Sequence, residues 1–127
     1  MKYSIMRSMM KKDEYAELQN NLSQELRRGV LVLAALSQLK EPKYGYALID
    51  RLGEQGIEIE QGTLYPLLRR LESQDLLESE WNVEGSRPRR YYVLSAEGER
   101  LLKALKMEWG ELIEVMEVLL SGTSTGG

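Results

Sequence analysis

The sequence contains neither cysteine nor histidine. Without cysteine there is no disulfide bond and no thiolate metal site. Without histidine, zinc sites and acid–base catalysis near neutral pH lose their usual residue. No apolar run approaches the roughly 20 residues that span a bilayer, and the charged segment over residues 1–12 does not resemble a secretory signal. We therefore expect a cytoplasmic protein that is not bound to a membrane and that holds no metal or cofactor.

The sequence also argues against an enzyme. Carboxylates are plentiful, but Asp50, Glu54, Glu58 and Glu60 fit the solvated faces of amphipathic helices. With no histidine, cysteine or phosphate-binding loop to accompany them, we predict that the protein has no catalytic activity. Its 127 residues, 43% of them hydrophobic, are enough for one folded domain.

The net charge of −3 does not favour nucleic acid at first sight, because domains that bind it are often strongly basic. The charges are unevenly spread, however. Residues 1–43 contain eight Lys or Arg and five Asp or Glu, whereas the last predicted helix is acidic. Salt screens exposed charges beyond about 8–10 Å, so the basic end of such a chain can still meet phosphates. The total charge therefore does not exclude DNA.

Hydrophobic spacing and turn residues predict a mainly helical chain with a small β wing. Pro42 ends the second helix, Gly56 caps the third and Ser95 caps the last. A tail of Gly, Ser and Thr over residues 121–127 is predicted to be disordered. The predicted helices cover residues 11–22, 23–39, 44–55, 61–74 and 96–120, and the predicted strands cover residues 57–59, 76–83 and 90–94.

The segment over residues 61–95 is the most informative about function. Its helix keeps a stripe of leucines for the core and leaves Thr63, Tyr65, Arg69 and Arg70 away from that stripe. The sequence GSRPRR at residues 85–90 concentrates cations at the tip of the following hairpin. A helix thin enough for the major groove, followed by a basic two-stranded wing, is the layout of a winged helix-turn-helix that binds duplex DNA.

The last helix carries the seam of a coiled coil, with apolar residues at alternating spacings of three and four. A large apolar stripe of this kind would promote aggregation if it stayed exposed to water. It either folds back on the N-terminal helix of its own chain or pairs with a second copy, and we favour a homodimer. Two-fold symmetry would then present two recognition helices to a pseudo-palindromic site. The predicted dimerisation residues are Leu102, Leu105, Trp109, Leu112, Met116 and Leu119.

Four segments follow one another in a recognisable order and spacing. They are LVLAAL at residues 31–36, YGYAL at 44–48, GTLYPLLRRLE at 62–72 and RPRRYY at 87–92. Together they resemble the PadR family of bacterial transcriptional regulators. The single short C-terminal helix resembles the small subfamily that includes multidrug-sensing repressors. The resemblance implies a winged-helix homodimer that represses promoters and is released by an effector.

The resemblance also implies DNA contacts from helix starts, the recognition helix and the wing. Hydroxyls and free backbone amides near helix starts suit phosphate oxygens, as at Tyr44 and Thr63. Capping or packing is the alternative for Tyr44 and Thr63. Packing with its hydroxyl in water is the alternative for Tyr65, and shaping a turn is the alternative for Gly62. The implied DNA-binding residues are Tyr44, Gly62, Thr63, Tyr65, Arg69, Arg70, Arg87, Arg89 and Arg90.

Adjacent arginines in the recognition helix cannot share one role. Only one of Arg69 and Arg70 can point straight at the groove, where a guanidinium on a guanine edge adds about 1–3 kcal/mol of discrimination. The other would pair with Glu72 or Asp75.

The wing poses the same choice. Strand alternation sends Arg89 and Arg90 to opposite faces, so one of them would brace the wing against the core. Tyr91 and Tyr92 divide in the same way, and at least one of them is predicted to lie in the core.

An effector site is implied on the last helix. A tryptophan at the corresponding position of multidrug-sensing relatives lines a flat pocket between subunits and stacks on planar drugs. Trp109 matches that position, and Met116 would soften such a pocket. The alternative is that Trp109 only fills the dimer seam.

These observations predict a sequence-specific DNA-binding regulator, a homodimeric repressor that a planar hydrophobic small molecule releases from a double-stranded, pseudo-palindromic operator. The alternative is a winged-helix module for protein–protein contact that does not bind DNA. The predicted organisation is an N-terminal extension over residues 1–22, a winged helix-turn-helix domain over 23–95, a dimerisation helix over 96–120 and a tail over 121–127.

Overall fold

The computed structural model describes residues 10–122. Its elements confirm a mainly α chain with a small β wing and a long C-terminal helix. In chain order they are α1 (Lys12–Ser37), β1 (Lys43–Tyr44), α2 (Gly45–Glu54), α3 (Gln61–Ser73), β2 (Leu77–Asn82), β3 (Arg89–Leu94) and α4 (Ala96–Ser121). Within these residues no helix is both long and apolar enough to cross a membrane.

The first helix differs from the sequence prediction. Residues 11–22 and 23–39 were predicted as two helices, whereas α1 runs unbroken over 26 residues. The junction at residues 22–23 carries no glycine or proline, so nothing in the local sequence interrupts the backbone hydrogen bonds. Two compact units divide the chain, the first ending at Leu31 and the second starting at Val32. In the first unit, α1 exposes the apolar side chains of Tyr15, Leu18, Leu22 and Leu26.

The third strand of the sheet is not the predicted one. Residues 57–59 were predicted as a strand but form none, and Ile59 instead enters the core. The backbone N–H of Ile57 donates to the Leu52 carbonyl at 2.8 Å, and Gly56 has a φ of 97°. That geometry closes α2 with the predicted glycine cap. The strand is β1, just before α2.

The sheet is antiparallel in the order β1-β3-β2. Leu77 pairs with Leu94 and Ser79 with Tyr92 across β2 and β3, whereas Tyr44 of β1 pairs with Tyr91. One face of the β2–β3 hairpin therefore continues the core formed by the helices. The buried apolar residues are Ala35, Leu36, Leu39, Leu48, Leu52, Ile59, Leu64, Leu68, Leu71, Leu77, Tyr92, Leu94 and Leu102.

Ser95, between β3 and α4, is the N-cap of α4. The Ser95 hydroxyl accepts from the Gly98 N–H at 3.0 Å and donates to the Asp75 carbonyl at 2.7 Å, which confirms the predicted cap. A Cβ on Gly98 would overlap the Leu76 carbonyl oxygen, so glycine is what lets α4 approach that backbone. The helix ends at Ser121, and the rest of the predicted tail, residues 123–127, lies outside the described residues, as do residues 1–9 of the N-terminal extension.

Candidate nucleic-acid interface

The outward face of α3 is polar and cationic. Leu64, Leu68 and Leu71 are buried, and residues advance by about 100° along a helix. Arg69 and Arg70 consequently flank the middle of the opposite face, one on each side. Arg69 lies on the side that faces β3, close enough for its charge to act on Tyr92. Within residues 10–122 neither arginine forms an ion pair, so the pairing predicted for one of them with Glu72 or Asp75 is not formed.

The start of α3 presents backbone to solvent. Its N-cap is Glu60, whose side chain makes no capping hydrogen bond. The N–H groups of Thr63 and Leu64 both donate to the Glu60 carbonyl, at 3.0 and 2.9 Å. Gly62 is exposed, lies inside the helix and has open space where a Cβ would stand. Neither a turn nor a close internal contact therefore explains this glycine.

Tyr65 has a packing role. Its ring lies against the start of α2, where a Cβ on Gly45 would stand 2.6 Å from the Tyr65 hydroxyl oxygen. A side chain at position 45 would therefore displace the Tyr65 ring from this contact. Tyr44 is the N-cap of α2 with an extended backbone, and its hydroxyl accepts from the Asn82 Nδ2 at 2.8 Å. Both tyrosines thus tie α2 to its neighbours.

Arg90 braces the wing against α3. Its Nη2 contacts the Glu72 Oε1 at 2.9 Å, and its Nε donates to the Ser79 hydroxyl at 2.9 Å. The Ser79 hydroxyl in turn donates to the Glu72 carboxylate. The guanidinium also lies 5.7 Å from the Trp81 ring centre and 5.6 Å from that of Tyr92. Of the two wing-strand arginines, Arg90 is therefore the one whose charge is neutralised within the fold.

Arg89 lies on the other face of the same strand. Its guanidinium carbon stands 5.7 Å from the Tyr44 ring centre and 5.4 Å from the Tyr46 ring centre. Its Nη1 donates to the Tyr46 hydroxyl at 3.0 Å. Arg87 lies in the exposed turn that Gly85 opens with a φ of 90°. In the part of the chain that the structure describes, neither Arg87 nor Arg89 has a carboxylate partner.

Tyr91 and Tyr92 divide between surface and core, as predicted. Tyr92 is 2% exposed, and this burial raises its pKa above the ordinary value. Tyr91 faces outward and donates its hydroxyl hydrogen to Glu80 at 2.8 Å. That hydrogen bond is the largest cause of its raised pKa, since it stabilises the protonated phenol.

The apolar stripe of α4 begins in the core and ends in solvent. Leu102 is 2% exposed and packs within the single chain. Leu105 is half-buried. Further along α4, the exposed apolar residues are Met107, Trp109, Leu112, Ile113, Val115, Met116, Leu119 and Leu120.

An open groove of about 570 Å³ also follows α4, and neither Trp109 nor Met116 lines it. Its lining residues are Ala104, Met107, Glu108, Glu111, Leu112 and Val115.

Sequence reasoning missed three residues of this surface. Tyr46 and Asn82 hold the Arg89 and Tyr44 side chains, and Trp81 stands exposed beside Arg90. The sequence signal for Tyr46 was its position two residues after Tyr44, across the junction of β1 and α2. This spacing indicates a pair of neighbouring rings only when β1 is already known.

Comparison with known proteins agrees on the family. The transcriptional regulator PadR-like family matches residues 32–104. The crystal structure of a PadR family transcriptional regulator from Eggerthella lenta is 49% identical, with a TM-score of 0.78 over 87% of this chain and 98% of its own. A PadR-like transcription factor from Bacteroides fragilis is 39% identical, with a TM-score of 0.67 over 78% of this chain and 98% of its own. A transcriptional regulator of Mycobacterium tuberculosis is 37% identical over 84 residues, which are 66% of this chain and 77% of that protein.

Proposed function

The chain belongs to the PadR-like family of transcriptional regulators, and on that premise we propose that it is a homodimeric repressor that binds duplex DNA and is released by a small molecule. The observation that carries the DNA-binding proposal is a set of uncompensated cations. Arg69, Arg70, Arg87 and Arg89 stand on α3 and the wing without a carboxylate partner among the described residues. Such cations favour a polyanion.

The dimensions of α3 suit a major groove. Its 13 residues span about 20 Å at 1.5 Å per residue, and its outward face carries no large apolar side chain. We assign base contacts to Arg69 and Arg70, and backbone contacts to Thr63, the Gly62 amide and the wing. The open space at Gly62 leaves room for a phosphate to approach that amide.

Dimerisation is proposed through α4. The exposed apolar residues from Trp109 onward would leave a long apolar strip in water in a single chain, and large exposed patches of this kind mark interaction surfaces. The exposed leucines of the first unit add further apolar surface. Because Leu102 is already buried within one chain, the proposed seam starts at Leu105. A two-fold dimer would hold its two α3 helices about 34–70 Å apart, one or two turns of duplex.

The effector is proposed to bind between the subunits at Trp109 and Met116. Both side chains are exposed in the single chain, so a second copy is needed to enclose a planar molecule on the indole ring. An inserted ligand would favour a different angle between the subunits and spoil the spacing of the α3 helices, with a coupling of typically 1–3 kcal/mol.

A protein–protein module is the alternative function. One observation favours it: Trp81 and Val83 are exposed on the wing, and exposed aromatic residues are common at protein interfaces. That function would leave the four unpaired arginines without a role.

The deciding experiment is fluorescence anisotropy with the DNA upstream of the protein's own gene, measured over a salt series. Each neutralised phosphate contributes about 0.9 to the slope of log K against log salt. The two wing arginines, Arg87 and Arg89, would therefore give a dimer a slope of about −3.6 if each meets one phosphate, and any phosphate contact made by Arg69 or Arg70 would steepen it. Arg87→Ala should flatten the slope, whereas Lys103→Ala on α4 should leave it unchanged. Affinity that ignores both salt and sequence would overturn the proposal and favour the protein module.

Separate measurements test the dimer and the effector. Leu112→Asp should shift the sedimentation coefficient from dimer to monomer and abolish operator binding, while the exposed Lys106→Asp change should do neither. Trp109→Ala should remove the release of DNA by planar dyes but preserve DNA binding. A monomeric wild-type protein at micromolar concentration would refute the dimer, and an unaltered dye response would refute the pocket.

A further inference from the structure

Arg89 is held in place without being neutralised. The rings of Tyr44 and Tyr46 stack with centres 5.8 Å apart and planes 5° apart, and the Arg89 guanidinium stands within 6 Å of both ring centres. One of its N–H groups donates to the Tyr46 hydroxyl. Aromatic faces attract a cation through their quadrupole and leave its net charge intact.

The neighbouring Arg90 differs from Arg89, because its charge is neutralised within the fold. Arg90 meets the Glu72 carboxylate at 2.9 Å, which cancels its charge. Within residues 10–122, Arg89 uses one of the five N–H donors of a guanidinium, on the Tyr46 hydroxyl. Its other donors have no partner among these residues and suit a bidentate contact with an anion.

Tyr44 is anchored, whereas Tyr46 is not. The Tyr44 hydroxyl accepts from Asn82, and the Tyr44 and Tyr91 rings form a T-shaped pair with centres 5.8 Å apart and planes at 88°. Tyr46 is 46% exposed, and among the described residues the hydrogen-bond, ring and cation–π partners of its side chain are the Tyr44 ring and Arg89. The outer ring of the stack therefore serves the arginine and not the core.

We propose that Tyr46 is a positioning residue that presents the Arg89 guanidinium, still charged, to a DNA phosphate at the junction of α2 and the wing. This inference rests on the proposed function. A free arginine side chain loses considerable rotamer freedom when it binds a phosphate. Because the tyrosine stack already restricts the Arg89 side chain in the free protein, less rotamer freedom is lost when DNA binds. The stack therefore increases affinity, provided that Arg89 stays on the rings in the complex.

The test is operator affinity and its salt slope for Tyr46→Ala, Tyr46→Phe and Arg89→Ala, with folding checked by thermal unfolding. An exposed cation–π contact corresponds to about a 2- to 5-fold change per subunit. Tyr46→Ala should therefore weaken a dimer's binding by about 4- to 25-fold, and Tyr46→Phe, which keeps the ring, by less. Arg89→Ala should reduce the slope by about 1.8 per dimer, two phosphates at 0.9 each. Tyr46→Ala should also make the salt dependence shallower. The double variant of Tyr46→Ala with Arg89→Ala should be no shallower in its salt dependence than Arg89→Ala alone.

Arg87 provides the matched control, because it belongs to the same wing and has no contact with Tyr46. Losses in affinity should add for Tyr46→Ala with Arg87→Ala, and should fall short of additivity for Tyr46→Ala with Arg89→Ala. An affinity that is unchanged or tighter in Tyr46→Ala would overturn the inference, since the rings would then be idle or would withhold the arginine from DNA. If wild-type protein binds no DNA, the proposed function fails. If wild-type binds and Arg87→Ala weakens it but Tyr46→Ala does not, only the positioning role fails.

Discussion

Replacing Glu72 by alanine should lower the free energy of unfolding by about 2 kcal/mol. Breaking a fully buried ion pair costs about 3–5 kcal/mol, and breaking an exposed one costs about 0–1 kcal/mol. The Glu72 and Arg90 side chains are 27% and 34% exposed, which places this pair between the two limits. The loss would also take an acceptor from the Ser79 hydroxyl.

A second ion pair of nearly the same length provides the control. Arg100 and Glu97 of α4 meet at 3.0 Å with side chains 78% and 63% exposed. Their separate alanine variants should each cost no more than about 0.5 kcal/mol. Burial and the shared Ser79 contact, rather than ion-pair length, would then account for the difference.

Urea unfolding followed by circular dichroism is the appropriate assay, at one fixed protein concentration because the proposed dimerisation would add to apparent stability. A double-mutant cycle on Glu72 and Arg90 removes the contribution of the rings around Arg90. We expect a coupling of about 1.5–2.5 kcal/mol, against less than about 0.5 kcal/mol for Glu97 with Arg100. Equal couplings in the two cycles would refute the reasoning. Arg90→Ala should also leave the salt slope of DNA binding unchanged, because its charge is already neutralised.

Three further outcomes are expected. Gly62→Ala should raise the free energy of unfolding by about 0.5–1 kcal/mol in urea titrations and yet weaken operator binding in anisotropy, because the added methyl group occupies the space left for a phosphate. Gly98→Ala should destabilise the fold by about 1–3 kcal/mol, measured in the same way, since its Cβ would meet the Leu76 carbonyl. The contribution of Tyr92 to stability should be fully present below pH 10 and be lost as the pH rises above it, because burial lifts the pKa of Tyr92 above 10.0 and the unfolded chain releases this proton first. Tyr92→Phe should reduce that slope in pH-dependent unfolding, and a slope equal to that of wild type would contradict the assignment.

Local patterns predicted the helices and the wing, because each depends on residues close together in sequence. The leucine stripe of α3, the Gly56 cap and the Ser95 cap all lie within one or two helical turns of the features they control. β1 was missed because a strand of two residues has no periodicity of its own. It exists because Lys43 and Tyr44 find partners in β3, nearly fifty residues later.

Side-chain partners were predicted less well for the same reason. One of the two adjacent arginines of α3 was expected to pair with Glu72 or Asp75, within a few residues of itself. Glu72 instead pairs with Arg90, eighteen residues later, because the hairpin brings the wing back onto α3. Similarly, the heptad spacing of α4 cannot indicate where packing within one chain gives way to exposed surface, and it placed the buried Leu102 in the same stripe as the exposed Leu119.

The contrast between Arg89 and Arg90 shows why the register of the wing matters for function. Because side chains alternate along a strand, two consecutive arginines point to opposite faces, one toward the Glu72 carboxylate and one toward the tyrosine pair. The first contact fixes the angle of the wing on α3, and the second keeps a cation ordered and charged. A shift of the β2–β3 pairing by one residue would exchange the two faces. The register of the β2–β3 pairing therefore determines both which arginine braces the wing on α3 and which one keeps its charge.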